Sequence, residues 1–420
     1  MSDATLSLVI VGIAVALFIW NRLPVDVVAI GVALLLYFTG LIDTRTLFSG
    51  FGDPVIVFIA SLFVVSAGLE ASGVTAWVSE TLARLAGQAY TRLLVTVLAL
   101  GAVISAVITV NGAAAALVPV TVAVARHART APSKVLIPLT FGCSAGALLT
   151  LGGSPVNILI YEASVDNGGG GFGYFEFALI GIPLVLVTIA VAVLFGRRLL
   201  PERESTTPQT DFGGDMPVEH SGLERSAPRA LAVLATMVGL LVSGIMPPAV
   251  AALLAALAMV SLRVVRTEQV YRVIPWQTII LIGALIPLST AIKTSGAAEV
   301  IAAPIVELVG DRSPYLLLGT LFVLTALLGQ FISNVATVLV VIPIAVAAAT
   351  ASGVSIQATL MLVALAGAAS LLTPIATPAN MIVLDPGGYR FGDYWRLGSV
   401  TMLTWFAVAM VVIPLCWPLH

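Results

Sequence analysis

Four apolar stretches of this chain are interrupted where a membrane-spanning helix would be continuous, and the interruptions come in two matching pairs. A bilayer core takes about 20 apolar residues per helix. Runs of that kind lie at 5–21, 24–42, 54–70, 92–125, 135–163, 176–196, 228–245, 248–265, 276–292, 314–349, 356–384 and 398–418. Runs 92–125 and 314–349 are too long for one crossing and too short for two. Each carries a polar interruption near its middle, Thr109-Val110-Asn111-Gly112 in the first and Ser333-Asn334 in the second. Runs 135–163 and 356–384 are broken by Gly152-Gly153-Ser154-Pro155-Val156-Asn157 and by Thr373-Pro374-Ile375-Ala376-Thr377-Pro378-Ala379-Asn380. Non-helical backbone at membrane depth survives only where protein or a water-filled cavity satisfies it.

Composition agrees and excludes other classes. The chain is 59% hydrophobic and 10% charged, against about 25% charged in soluble domains. It is therefore an all-α polytopic membrane protein. A net charge of −2 and the lack of a long basic stretch argue against nucleic acid as a partner. Cys143 and Cys416 both sit in apolar runs, and with three histidines they make neither a disulfide framework nor a metal site. The start, Met1-Ser2-Asp3, lacks a basic region, so the first run reads as a retained helix. Gly168 to Gly171 reads as a loop, because no Lys-Ser/Thr follows it. Residues 201–227, rich in Pro, Glu, Arg, Ser and Thr, read as a flexible linker.

The two halves repeat. An offset of 223 carries Asn111 to Asn334, Thr150 to Thr373, Ser154-Pro155 to Thr377-Pro378 and Asn157 to Asn380. The same offset carries Ser72-Gly73 to Ser295-Gly296 and Pro24 to Pro247, whereas Pro119 and Pro343 miss by one. The reading is duplication, with one repeat over 1–200 and the other over 228–420. Each repeat has five crossings, a re-entrant hairpin and an interrupted helix. Five is odd, so the repeats are inverted. Lysine and arginine placement gives the orientation. With residue 1 outside, 16 of the 19 basic residues fall inside and Arg45, Lys293 and Arg312 fall outside. Both termini are then outside and the linker is cytoplasmic, as expected of a multi-pass protein of the plasma membrane.

Inverted repeats with broken helices suit a secondary transporter with its site at the breaks. Asn111 and Asn334 offer amide groups, Ser154 and Thr377 offer hydroxyls, and Pro155 and Pro378 free upstream carbonyls. Taken singly, an intramembrane Asn is usually interhelical glue and a Gly-Ser-Pro break a packing kink. Recurrence at one offset is what favours a site. No Asp, Glu, Lys or Arg lies in the four motifs, so an anion there would be neutralised by co-bound cations and helix dipoles. Asp26 reads as a helix-dipole partner, and Glu70 and Glu162 as residues that snorkel from helix ends. His127 reads as a solvated loop residue, and Trp77, Trp276, Trp395 and Trp417 as interfacial belt residues. No His-Glu-x-x-His, paired intramembrane Asp or His near Ser154 supports an enzyme.

The segments Val110-Asn111-Gly112-Ala113, Leu149 to Asn157, Ser333-Asn334-Val335-Ala336-Thr337 and Thr373 to Asn380 resemble the paired motifs of the divalent anion:sodium symporters, solute carrier family 13, within the ion transporter superfamily that includes citrate-transporter-like permeases. The resemblance spans nearly the whole chain. It implies a homodimer with a fixed scaffold (1–90 and 228–313) and a transport domain (91–196 and 314–420) that moves as an elevator. It implies sodium as the coupling ion, no organic cofactor, and a small anion as substrate. Carried over, Asn111, Gly153 and Ser154 frame one sodium and Ser333, Asn334 and Ala376 the other. Asn111, Gly112, Ser154, Pro155, Asn334, Val335, Thr377 and Pro378 meet the anion, with Thr150, Asn157, Thr373 and Asn380 supporting the breaks. The family's hairpin tips read Ser-Asn-Thr, whereas these read Val-Asn-Gly and Ser-Asn-Val, three hydroxyls fewer. The alternative within the superfamily is a proton-coupled or arsenite-type permease.

Overall fold

The computed structural model describes residues 2–20, 22–74, 77, 89–203, 226–309 and 313–419. Among these, all regular structure is helical. The first half runs α1 (Asp3–Trp20), α2 (Val25–Phe38), α3 (Thr44–Ser49), α4 (Pro54–Ala71), α5 (Tyr90–Ser105), α6 (Val110–His127), α7 (Leu136–Gly146), α8 (Pro155–Asp166) and α9 (Ala178–Leu199). The second half runs α10 (Ala227–Ser243), α11 (Pro248–Ser261), α12 (Thr267–Val273), α13 (Trp276–Thr294), α14 (Ala297–Val309), α15 (Pro314–Leu328), α16 (Asn334–Ser352), α17 (Ile356–Ala368), α18 (Pro378–Ile382) and α19 (Tyr394–Cys416). Eight of the described helical segments are long and apolar enough to cross a membrane.

The repeat holds in three dimensions. Adding 223 to the bounds of α2 gives those of α11. Gly73 and Gly296, each ending a helical stretch, both adopt φ +77°, a left-handed conformation that glycine takes without steric cost. Packing is mirrored as well: α2 lies on α13 as α11 lies on α4, and α5 lies on α7 as α15 lies on α17. The long runs 92–125 and 314–349 are indeed pairs of shorter helices, α5–α6 and α15–α16, meeting at tips near 106–110 and 329–334. Helix starts follow local chemistry. Asp53, Ser154, Ser313 and Thr377 each cap a helix whose first residue is proline. The cap accepts an orphan N–H, and proline has none to leave unpaired.

One polar cluster pins the start of the linker to both repeats. The Ser133 hydroxyl contacts the carbonyls of Pro201 and Arg203 at 2.9 and 3.0 Å, and Lys134 Nζ donates to the carbonyls of Arg197 and Leu200. The Arg203 guanidinium donates to Asp393 at 2.6 Å and to the Gly388 carbonyl at 2.8 Å. Residues 204–225 of the expected linker lie outside the described residues, as do Arg84 and Arg312 of the charge count.

Three expectations need correction. Trp417 is not an interfacial belt residue: it is 3% exposed, with its indole N–H donating to Glu176 Oε1 at 2.6 Å. His127 ends α6 rather than standing on a loop, although it is exposed. Glu162 does not snorkel from a helix end. It lies within α8 and faces a cavity of about 630 Å³ shared with Asp53, Asp166, Lys293 and Glu299.

Candidate substrate and ion site

Both breaks are built in the same way. The Asn157 amide donates to the carbonyls of Ala147 and Thr150, both at 2.8 Å. Asn380 donates to Ser370 and Thr373, both at 3.0 Å. An offset of 223 maps one set onto the other. These two buried asparagines replace the helical bonds that the breaks remove. Thr150 and Thr373 tie each break to the neighbouring tip, their hydroxyls donating to the carbonyls of Ala106 and Gln330 at 2.6 and 2.8 Å. Thr150, Asn157, Thr373 and Asn380, the residues expected to support the breaks, thus all bond to backbone carbonyls there.

The tips follow another register. Thr109 caps α6 through Gly112 N, and Ser333 caps α16 through Ala336 N. Their separation is 224, as for Pro119 and Pro343 and for the carbonyls of Ala106 and Gln330. The equivalence of Asn111 with Asn334 is thus corrected. Asn334 holds the first helical position of its tip and Asn111 the second. In the cap register tip 1 reads Thr-Val-Asn and tip 2 Ser-Asn-Val. Thr109, which was missing from the expected ligand set, restores one of the three absent hydroxyls. The missed proline alignment was the available signal.

Tips and breaks converge on one cavity of about 200 Å³. Asn111, Gly153, Ser154, Pro155, Ser333, Asn334, Val335, Ala376, Thr377 and Pro378 all line it, together with Thr109, Val110 and Val156. Gly112, Thr150, Asn157, Thr373 and Asn380 stand behind this wall. Val25, Phe63, Gln277, Thr278 and Leu281 from α2, α4 and α13 complete it. The motif-by-motif reading gave no sign of them, since they belong to unbroken helices.

The two asparagines are oriented differently. Asn111 Oδ1 accepts from Ala379 N at 3.2 Å, a bond between repeats. Asn334 Oδ1 accepts from the Ser370 hydroxyl at 2.5 Å, within its own repeat. Both amide nitrogens lack a partner among the described residues. So do the backbone N–H groups of Val110, Asn111, Asn334 and Val335, which are orphan donors of a helix first turn. Among the described residues no charged side chain lines the cavity. A donor-rich, uncharged site of this kind can hold an anion. Gly153, Ser154, Ser333 and Ala376, which carry hydroxyl and carbonyl oxygens, line the same wall.

A citrate transporter family model matches residues 15–366 and 295–419. The chain belongs to the citrate transporter family. This family member is 24% identical to the uncharacterized transporter YfbS of Escherichia coli K12, over 97% of this chain and 98% of the relative. It is 22% identical to the sodium-dependent dicarboxylate transporter SdcS of Staphylococcus aureus, over 94% of this chain and 82% of the relative. Its fold matches the YdaH transporter of Alcanivorax borkumensis with a TM-score of 0.63 at 16% identity, over 96% and 98% of the two chains. MtrF of Neisseria gonorrhoeae matches with a TM-score of 0.62 at 14% identity, over 92% and 84%. The chain is a multi-pass membrane transporter, not an enzyme, and its described residues form an all-helical fold.

Proposed function

We propose that this transporter carries a small oxyanion or carboxylate together with sodium, and that it does so by an elevator movement. The observation that carries the proposal is convergence. Four helix interruptions, drawn from both repeats, close on one cavity lined by N–H donors and by residues bearing hydroxyl and carbonyl oxygens. The anion is held by the unpartnered amides of the two tips and by the Asn111 and Asn334 side chains. Sodium is held by oxygens of Gly153, Ser154, Ser333 and Ala376. Asn111 and Asn334 join that set through the second lone pair of each amide oxygen, the first being held by Ala379 N and by the Ser370 hydroxyl. The dependence on sodium that names the S. aureus relative supports this coupling. The remaining assignments, a scaffold of 1–90 and 228–313, a transport domain of 91–196 and 314–420, a homodimer, and a plasma-membrane setting with both termini outside, belong to the same proposal.

The scaffold residues at the cavity support a moving transport domain. In the proposed orientation the cytoplasmic ends of the scaffold helices are the start of α2, the start of α13 and the end of α4. Val25, Gln277 and Thr278 at two of those starts line the cavity. At the third, a Cβ placed on Gly112 would lie 3.5 Å from Glu70 Oε1. The site thus stands low in the scaffold, on the cytoplasmic side. The larger cavity of Asp53, Glu162 and Lys293 lies toward the opposite ends of α4 and α13.

The test is thermal stability of the purified protein over a panel of sulfate, succinate and citrate, in sodium and in potassium. A ligand bound only to the folded state raises apparent stability by mass action. At least one anion is expected to raise the Tm in sodium alone. A panel without effect in either salt would contradict the anion assignment.

A further inference from the structure

Among the described residues the cavity wall holds no charge, yet two scaffold carboxylates stand near it, Asp26 half-buried and Glu70 exposed. Asp26, in the first turn of α2, accepts from Gln277 Nε2 at 3.5 Å, and both Gln277 and the preceding Val25 line the cavity. Glu70, near the end of α4, puts Oε1 3.5 Å from where a Cβ on Gly112 would be, one residue from Asn111. Among the described residues neither acid carries an ion pair, and no Lys or Arg lines the cavity. The two carboxylates come from different helices, and both belong to the part proposed to stay fixed.

We infer that Asp26 and Glu70 make anion affinity depend on the position of the transport domain, weakening it in the position seen here so that the anion is released toward the Val25–Gln277 face. The inference rests on the carrier reading above. Like charges near one another repel, and the repulsion fades beyond a Debye length of about 8 Å in physiological salt. A transport domain that slides along the scaffold by more than that distance leaves both charges behind. The same N–H donors then hold the anion without opposition on the other face. Release thus follows from the fixed charges of the scaffold, with no change in the ligand set of the tips. The dipole at the start of α2 tempers Asp26, so Glu70, at a helix end with the opposite polarity, carries the larger share.

The test measures KM for labelled sulfate and succinate from each face, in oriented proteoliposomes of the full chain. Glu70→Gln is expected to lower KM about threefold to tenfold from the Val25–Gln277 face, and Asp26→Asn about twofold to threefold. KM from the opposite face should not change, while the maximal rate of net uptake falls because release slows. Glu70→Asp keeps the charge and should keep the wild-type KM, which separates charge from shape. Raising ionic strength should narrow the gap between wild type and Glu70→Gln. Equal KM changes on both faces, or none on either, would overturn the inference. If the wild type moves neither anion, it is the carrier reading that fails.

Discussion

The two hairpin tips were expected to be copies, and they are not. Each has a hydroxyl cap, an asparagine and a valine, but the asparagine is first after the cap at tip 2 and second at tip 1. Successive positions on a helix are turned by about 100° (3.6 residues per turn), so the two amides leave their tips in different directions. Asn334 then reaches Ser370 in its own repeat, whereas Asn111 reaches Ala379 in the other. The counterparts one repeat away are apolar: Val110 with Ala147, and Val335 with Val156. A duplicated frame can therefore carry an asymmetric site. The breaks kept their symmetry because a freed carbonyl needs the same donor in either half.

The strongest way to break this comparison is to remove each amide. Asn334→Ala is expected to cut transport about a hundredfold, near 2.7 kcal/mol, while Ser370 keeps the Gly329 carbonyl as a partner. Asn111→Ala should cut transport similarly and also lower the Tm, since Ala379 N–H loses its acceptor at a cost of about 1–3 kcal/mol. Equal Tm values for the two variants would remove the cross-repeat role of Asn111. Next in size come the breaks. Asn157→Ala and Asn380→Ala each take a donor from two carbonyls of the break and should destabilise by about 2–4 kcal/mol. Denaturation midpoints should fall alike in both, because the bonds are duplicated. A difference above about 1.5 kcal/mol would show that the breaks are not equivalent after all. Exchanging the tip 1 order, Val110→Asn with Asn111→Val, should reduce uptake about tenfold despite unchanged composition. Wild-type uptake by this double variant would mean that the register is irrelevant. The smallest effect belongs to the linker pin. Arg203→Ala should cost no more than about 1 kcal/mol, since Arg203 is 31% exposed.

Much of this was legible in the sequence, for a physical reason. A helix cannot stop inside a membrane without leaving a polar signature, so breaks at Asn157 and Asn380 and tips near Asn111 and Asn334 could be read directly. The repeat followed from their spacing. The register shift was legible only as a proline pair that missed by one, because the cap that sets it, Thr109 against Ser333, is decided by which hydroxyl meets which N–H. The contribution of Val25, Phe63, Gln277 and Thr278 was not legible. These residues sit in unbroken helices, and only the packing of α2 and α4 against α13 brings them to the cavity. Trp417 misled because an aromatic at a helix end reads as interfacial until its partner, Glu176, is known.

The central claim is that an uncharged, donor-rich cavity between two inverted repeats carries an anion with sodium. Bringing an anion in against a negative potential costs about 2.3 kcal/mol per charge per 100 mV, which co-transported cations must offset. The most direct measurement is concentrative uptake of labelled sulfate, succinate or citrate into proteoliposomes, under an imposed sodium gradient or under a proton gradient without sodium. The account predicts accumulation with the sodium gradient, electroneutral or net positive inward, and none with protons alone. Accumulation driven by protons at zero sodium would contradict it.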